Sequence, residues 1–207
     1  MCEVDPVRAL RDGDTVSLRR WARDTITELC SGRRSIKAVR HPLEFVCLPL
    51  RRDGLTGLCL HLWEGEGEEV YPVVHAHSWD LCSYVLSGTV FNEIFEIRDD
   101  AARRGHRLYQ VDSSDGVDEA RFTERFVTSV RERLEEVPEG RVYRLAAGQY
   151  HRSGHRGRTA TVVLGEHRPG VHNLVLGPLD GELSTSRRES YPADRVLALL
   201  RPLAHAL

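Results

Sequence analysis

"VVHAHSWDLCSYVLSGTV", residues 73–90, alternates and branches like a β-strand, yet it sets two histidines one residue apart. Successive strand side chains point to opposite faces, so His75 and His77 share a face and stand about 6.6 Å apart along it. Strand twist and side-chain rotation can bring both rings onto one cation, with bonds of about 2.1 Å. The competing reading makes them solvent-facing, or core histidines with satisfied hydrogen bonds.

The texture on either side of this stretch decides the fold class. From His41 to Leu176 apolar residues come in short bursts: FVCLPL, LCLHLW, YPVVHAH, LCSYVLSGTVFNEIFEI, VYRLAAG, TATVVLG and HNLVLG. Turn-forming stretches such as RRDG, the acidic GEGEE at 65–69 and HRPG separate them. Many short strands with turn signals between them predict an all-β sandwich or barrel instead of an alternating α/β sheet. Residues 14–31 read as an amphipathic helix, since Leu18, Trp21, Ala22, Ile26, Leu29 and Cys30 fall near a 3.6 period and Gly32 follows. Its apolar face is expected against the outside of the barrel or against a second subunit. The end of residues 188–207, DRVLALLRPLAHAL, reads as a helix interrupted by Pro202. The expected organisation is a helical arm over 1–38, a barrel over 39–178 and a helical tail over 179–207. EARFTERFVTSVRERLEEVPEG, 119–140, fits either state: Phe122, Phe126, Val130, Leu134 and Val137 form a helical stripe, while FVTSV suits a strand.

Composition removes several function classes. The formal charge is −2, with 41% hydrophobic residues and Lys37 as the lone lysine among 29 basic residues. That balance gives neither nucleic acid nor a membrane surface a reason to bind. Five scattered cysteines (Cys2, Cys30, Cys47, Cys59 and Cys82) without a CxxC pair indicate neither a disulfide framework nor a zinc ribbon, and suit a reducing cytoplasm. Asp5, Arg8, Arg11 and Asp12 stand where a signal peptide would need an apolar run, so none is expected, and no run reaches the roughly 18 apolar residues a bilayer crossing needs. A soluble, cytoplasmic protein is expected, with a homodimer left open.

A second segment raises the odds of a metal site. YRLAAGQYHRSGHRG places Gly148 and then His151 at a tight turn well downstream. Three imidazoles from two strand regions cap a cation on one side and leave positions open, which suits a catalytic site better than a closed structural one. These two segments resemble the motifs of the cupin superfamily, a double-stranded β-helix (jelly-roll-like) barrel. Its first motif has HxH, a carboxylate and a later glycine, and its second reads PxGxxH. Here the first is matched by His75, His77 and Gly88, and the second by Gly148 and His151, with Ala146 in the proline place. The resemblance covers roughly residues 40–178.

Where many cupins carry a glutamate, five residues after the second histidine, this chain has Cys82. That spacing resembles cysteine dioxygenase and its thiol dioxygenase relatives, and LHLWEGEG resembles the strand and turn before their HxH. The resemblance implies Fe(II) held by His75, His77 and His151, with Cys82 close by; Zn, Mn or Ni are alternative metals. Departures are visible. The strand after the third ligand offers Thr161, Val163 and Gly165 where those enzymes have a Ser-His-Tyr alternation, and EFVCLPL lacks their substrate-clamping arginine. A three-histidine site acting on some other small molecule therefore fits better than cysteine oxidation. Cys82 itself can be read as a pocket residue, a thiolate ligand or a core thiol.

His61 and His172 are further pocket candidates for acid–base work, since unperturbed imidazole titrates near pH ~6.5. His155 is either a second partner for the site or a surface turn residue. Tyr84, Asn92 and Tyr150 offer hydrogen bonds if they point inward. Glu93 and Glu96 are expected at the surface, as are His106, His167 and His205. The expected function is oxidation of a small thiol or related molecule by O₂ at Fe(II). The alternatives are isomerase, decarboxylase or hydrolase chemistry with another divalent metal, or a cupin that binds a small molecule without turnover.

Overall fold

The computed structural model of the chain describes residues 4–65, 67–70, 73–181 and 184–207. Two helices open it, α1 (Pro6–Asp12) and α2 (Thr15–Cys30), followed by β1 (Ala38–Arg40), β2 (Val46–Asp53), β3 (Thr56–Trp63), β4 (Glu68–Val70) and β5 (His75–Ala76). The long β6 (Trp79–Asp99) comes next, then β7 (His106–Ser114), β8 (Val117–Pro138), β9 (Val142–Leu145), β10 (His151–His167), β11 (Asn173–Gly177), β12 (Ser184–Arg187), β13 (Ser190–Tyr191) and α3 (Ala193–Ala206). Tyr71 and Pro72 of the YPVVHAH burst, and part of the acidic GEGEE stretch, lie outside the described residues; Glu68 and Glu69 of that stretch are already in β4.

Every strand pairing is antiparallel, and the ladder closes on itself. It runs β10–β5–β11–β7–β8–β6, and β6 pairs back onto β10. A second wall, β13–β1–β2–β3, extends from the far half of β10. β6 and β10 belong to both walls because both bend: their register slips between Arg156 and Ala160. Gly88 sits at this corner with φ +74, and a Cβ there would lie 2.2 Å from the Thr159 hydroxyl and 2.8 Å from the Arg158 carbonyl. Only glycine turns the chain here. The all-β barrel expected from the burst pattern is what the strands build.

The helices cover the outside of one wall. Asp5 caps α1 and Asp14 caps α2 by accepting from the Val7 and Ser17 amides, and Gly13 in the left-handed region joins them. Leu10, Leu18, Ile26 and Leu29 pack with Leu200 of α3 onto Leu48, Leu60, Tyr84 and Val162. The apolar face of α2 thus lies on the barrel's outside. The first helical turn at Pro6–Asp12 escaped the sequence reading, because its polar residues mask a short apolar side. No helix among the described residues is long and apolar enough to cross a membrane.

The 119–140 stretch, which sequence left open, is strand up to Pro138 as part of β8, and the residues of its helical stripe do not form a buried face: Phe122, Val130 and Leu134 are exposed. Arg107 instead lies over the Phe122 ring at 3.9 Å. One expectation needs correction. The tail over 179–207 is only partly helical, since β12 pairs with β8 and β13 with β1. The chain steps between the walls there: the Arg188 amide donates to Gly116 O, and Glu189 O accepts from the Arg40 amide.

Candidate metal centre

His75 and His151 are direct partners across the β5–β10 ladder, and His77 follows two residues after His75. A cross-strand pair plus a same-face neighbour makes a compact triangle. The ring centroids lie 4.3 Å apart for His75–His151, 4.7 Å for His75–His77 and 5.0 Å for His77–His151. One nitrogen from each ring falls within 4.8 Å of the other two. The ladder register therefore performs the convergence that the two motifs suggested.

The turn before His151 explains its motif. Gly148 takes φ +78, the left-handed region, although a Cβ there would meet only Val171 at 3.8 Å. The requirement is thus conformational and not spatial. Four bonds fix this turn: the Gly148 amide donates to His77 O at 2.8 Å, the Gln149 amide to Ala146 O, the Ala147 amide to the Asp80 carboxylate at 2.8 Å, and the Ala146 amide to Gln149 Oε1 at 3.2 Å. The first joins the two histidine segments directly. The Ala147 hydrogen bond, helped by Arg168, holds the Asp80 carboxyl below its usual range.

The donor set fits a divalent transition cation. His75 Nδ1 donates to Val73 O and His151 Nδ1 to Gln149 O, each at 3.0 Å, so the Nε2 lone pair of each ring is the one left for a metal. Burial pushes all three imidazoles toward the neutral form: His75 down, His77 well down and His151 to about 3. His77 stacks on Trp79, with centroids 4.6 Å apart. The site opens into a cavity of about 610 Å³ whose apolar wall includes Phe45, Leu81 and Val163.

The other sequence candidates separate. His61 and His172 both line this cavity, His172 at its exposed rim. Cys82, expected near the metal, is elsewhere: its thiol donates to Leu10 O at 3.3 Å and packs in the core beneath the helices. Five is an odd spacing, the strand breaks at His77–Ser78, and along β6 it is Leu81 that faces the cavity. Burial accordingly raises the Cys82 thiol, and its place against Leu10 O, apart from the three histidines, is what removes the ligand reading. Tyr84 also faces the helices. His155 is fully buried on β10 and is not a surface turn residue. Asn92 is buried and accepts from Ser153, while Glu93 is buried between Arg131 and Arg152 in an ion-pair cluster and Glu96 pairs with exposed Arg98. His106, His167 and His205 are exposed.

Two features of the cavity escaped the sequence reading. His41 stacks on Phe45 at 4.3 Å, and its Nδ1 accepts from the Leu43 amide at 3.1 Å. Burial lowers it to about 3, so it is neutral and carries its proton on Nε2 as a hydrogen-bond donor. The second is a group formed by Cys47, Cys59 and His61, whose ligand atoms also lie within 4.8 Å of one another. Their convergence depends on the pairing of β2 with β3, which no local spacing reveals.

No protein-family model matches the chain, and no curated protein matches it. Solved structures give distant likenesses. A cupin superfamily protein from Desulfitobacterium hafniense DCB-2 is 10% identical over 60% of this chain and 78% of its own, with a TM-score of 0.36. An oxalate decarboxylase variant from Bacillus subtilis is also 10% identical at 0.36, over 64% of this chain but only 29% of its own. Pumpkin seed globulin reaches 0.38 at 12% identity, over 74% of this chain and 37% of its own. What the chain's own topology and geometry give is a closed, double-walled antiparallel β-barrel, with a three-histidine cluster able to hold a metal.

Proposed function

We propose that the protein is a mononuclear non-haem Fe(II) oxygenase, in which His75, His77 and His151 hold the metal and a small molecule, a thiol among the candidates, is oxidised with O₂. The observation that carries this reading is the convergence of three imidazoles at a cavity wall, two of them with Nδ1 tied to backbone carbonyls. Bound there, Fe(II) supplies Lewis acidity and redox chemistry toward O₂, with coordination positions left for substrate.

The chain's own residues do the rest. Val73 O and Gln149 O fix the tautomers of His75 and His151, so the rings need no reorganisation when a metal arrives. Trp79 limits rotation of His77 from the side of its stacked face. Phe45, Leu81 and Val163 give the cavity an apolar wall for a substrate's carbon skeleton, and His41 offers an N–H to its polar group. With Cys82 turned to the helices, the residue that most favoured cysteine as substrate is removed from the reaction.

The test is oxygen uptake by anaerobically Fe(II)-loaded protein across a panel of small thiols and non-thiol acids. Substrate-dependent uptake that disappears in His77→Ala, together with its bound iron, is the expected result. Uptake indifferent to substrate, or iron retained by His77→Ala, would overturn the assignment. Turnover with another divalent metal but without O₂ would instead favour the isomerase, decarboxylase or hydrolase alternative.

A further inference from the structure

We propose that Cys47, Cys59 and His61 form a second cation site, suited to Zn²⁺, on the wall of the cavity that the three histidines also line. The β2–β3 ladder builds it. Cys47 and His61 are direct partners across the two strands, and Cys59 precedes His61 by two residues on the same face. The opposite face of these strands carries Val46, Leu48, Leu58, Leu60 and Leu62 into the helix-covered core. Alternation thus commits all three donors to the cavity, and all three line it.

Their chemistry differs from that of the histidine triangle. Two thiols and an imidazole are the softer set, which favours zinc over iron, manganese or magnesium. Donors around a tetrahedral zinc stand roughly 3.3–3.8 Å apart, given bonds of about 2.0–2.3 Å. The observed limit of 4.8 Å is within reach by side-chain rotation alone. Three protein ligands leave a fourth position, and here it faces the cavity. Neither cysteine is in a disulfide, and both are half-buried, so ions can reach them. The two thiols already interact: a hydrogen bond from Cys47, with smaller help from His61, draws the Cys59 thiol down, while Cys47 is held up.

This site does not depend on the function of the histidine triangle, and the test keeps the two apart. The probes are Zn²⁺ and Co²⁺ added to the full-length reduced protein. Co²⁺ should produce a thiolate-to-metal charge-transfer band that persists in His75→Ala and is lost in both Cys59→Ser and Cys47→Ser. Zn²⁺ at about ten times its Kd should slow alkylation of Cys47 and Cys59 about tenfold, while Cys30 serves as the internal reference. Circular dichroism of the serine variants shows whether the loss of the band reflects ligand removal in a folded chain. The alkylation experiment on wild-type protein needs no variant. Absence of a thiolate band, a band that survives both serine substitutions in folded protein, or unchanged alkylation rates would overturn the proposal. So would a Cys47–Cys59 disulfide found by mass under reducing purification. Loss of metal in His75→Ala with an unchanged thiolate band would leave this site standing and concern only the histidine triangle.

Discussion

At the scale of single residues, the site depends on who faces whom. Cys82→Ala removes a buried thiol beneath the helices, so we expect a loss of about 1–2 kcal/mol in urea unfolding, by comparison with other small core truncations, and unchanged metal content by elemental analysis. Asp80 acts from outside the cage by holding the Ala147 amide on the turn that presents His151. Asp80→Asn should weaken metal retention about 10–100-fold, in the range seen for groups that orient ligands, read from competition with a chelator. Its carboxyl is lowered in the folded state. Its contribution to stability is therefore complete above the unfolded value near pH ~3.9 and is lost as pH falls through the lower folded value. The melting-temperature gap between wild type and Asp80→Asn should be largest near neutrality and close in strong acid. The histidines themselves were legible from sequence because HxH and GxxH are local spacings. Cys82 was not: a break in the strand before it removes the parity that would have told its face.

At the scale of elements, bends and registers matter more than propensity. β6 and β10 each serve both walls, and at their corner Gly88 leaves no room for a Cβ beside Thr159. Gly88→Ala combines a backbone conformation disfavoured for alanine with a clash against the Thr159 hydroxyl and the Arg158 carbonyl. We expect destabilisation of about 3 kcal/mol or more by denaturant titration, or failure to accumulate folded protein. The burst-and-turn texture made the strands legible, and α2 was legible from its 3.6 period. β8 was not, because its apolar residues at even positions lie on an exposed face, so burial gave no signal of its alternation. The cysteine–histidine group was equally hidden, since it arises only when Cys47 of β2 comes to stand opposite His61 of β3.

At the scale of the whole molecule, the helices and the cavity occupy opposite sides of one wall. Leu18 is fully buried in the helix-covered layer. Leu18→Ala should cost about 2–5 kcal/mol in urea unfolding and leave the number of bound metal ions unchanged, because no helix residue lines the cavity. An equal loss of metal and stability would contradict that separation. The barrel was legible as a class from sequence, but the boundary at residue 178 was not. Strands as short as Ser184–Arg187 and Ser190–Tyr191 carry no periodicity to read.

Those two short strands tie the barrel's rim like a drawstring. Between the Arg188 amide, held by Gly116, and the Glu189 carbonyl, held by Arg40, the chain crosses from one lip of the cavity to the other. The lips cannot part there without untying both knots together. Amide hydrogen exchange at Arg40 and Arg188 should accordingly proceed at matched rates, and a guest filling the cavity should slow the pair in concert; exchange at the two amides with unrelated rates would show the lips moving independently.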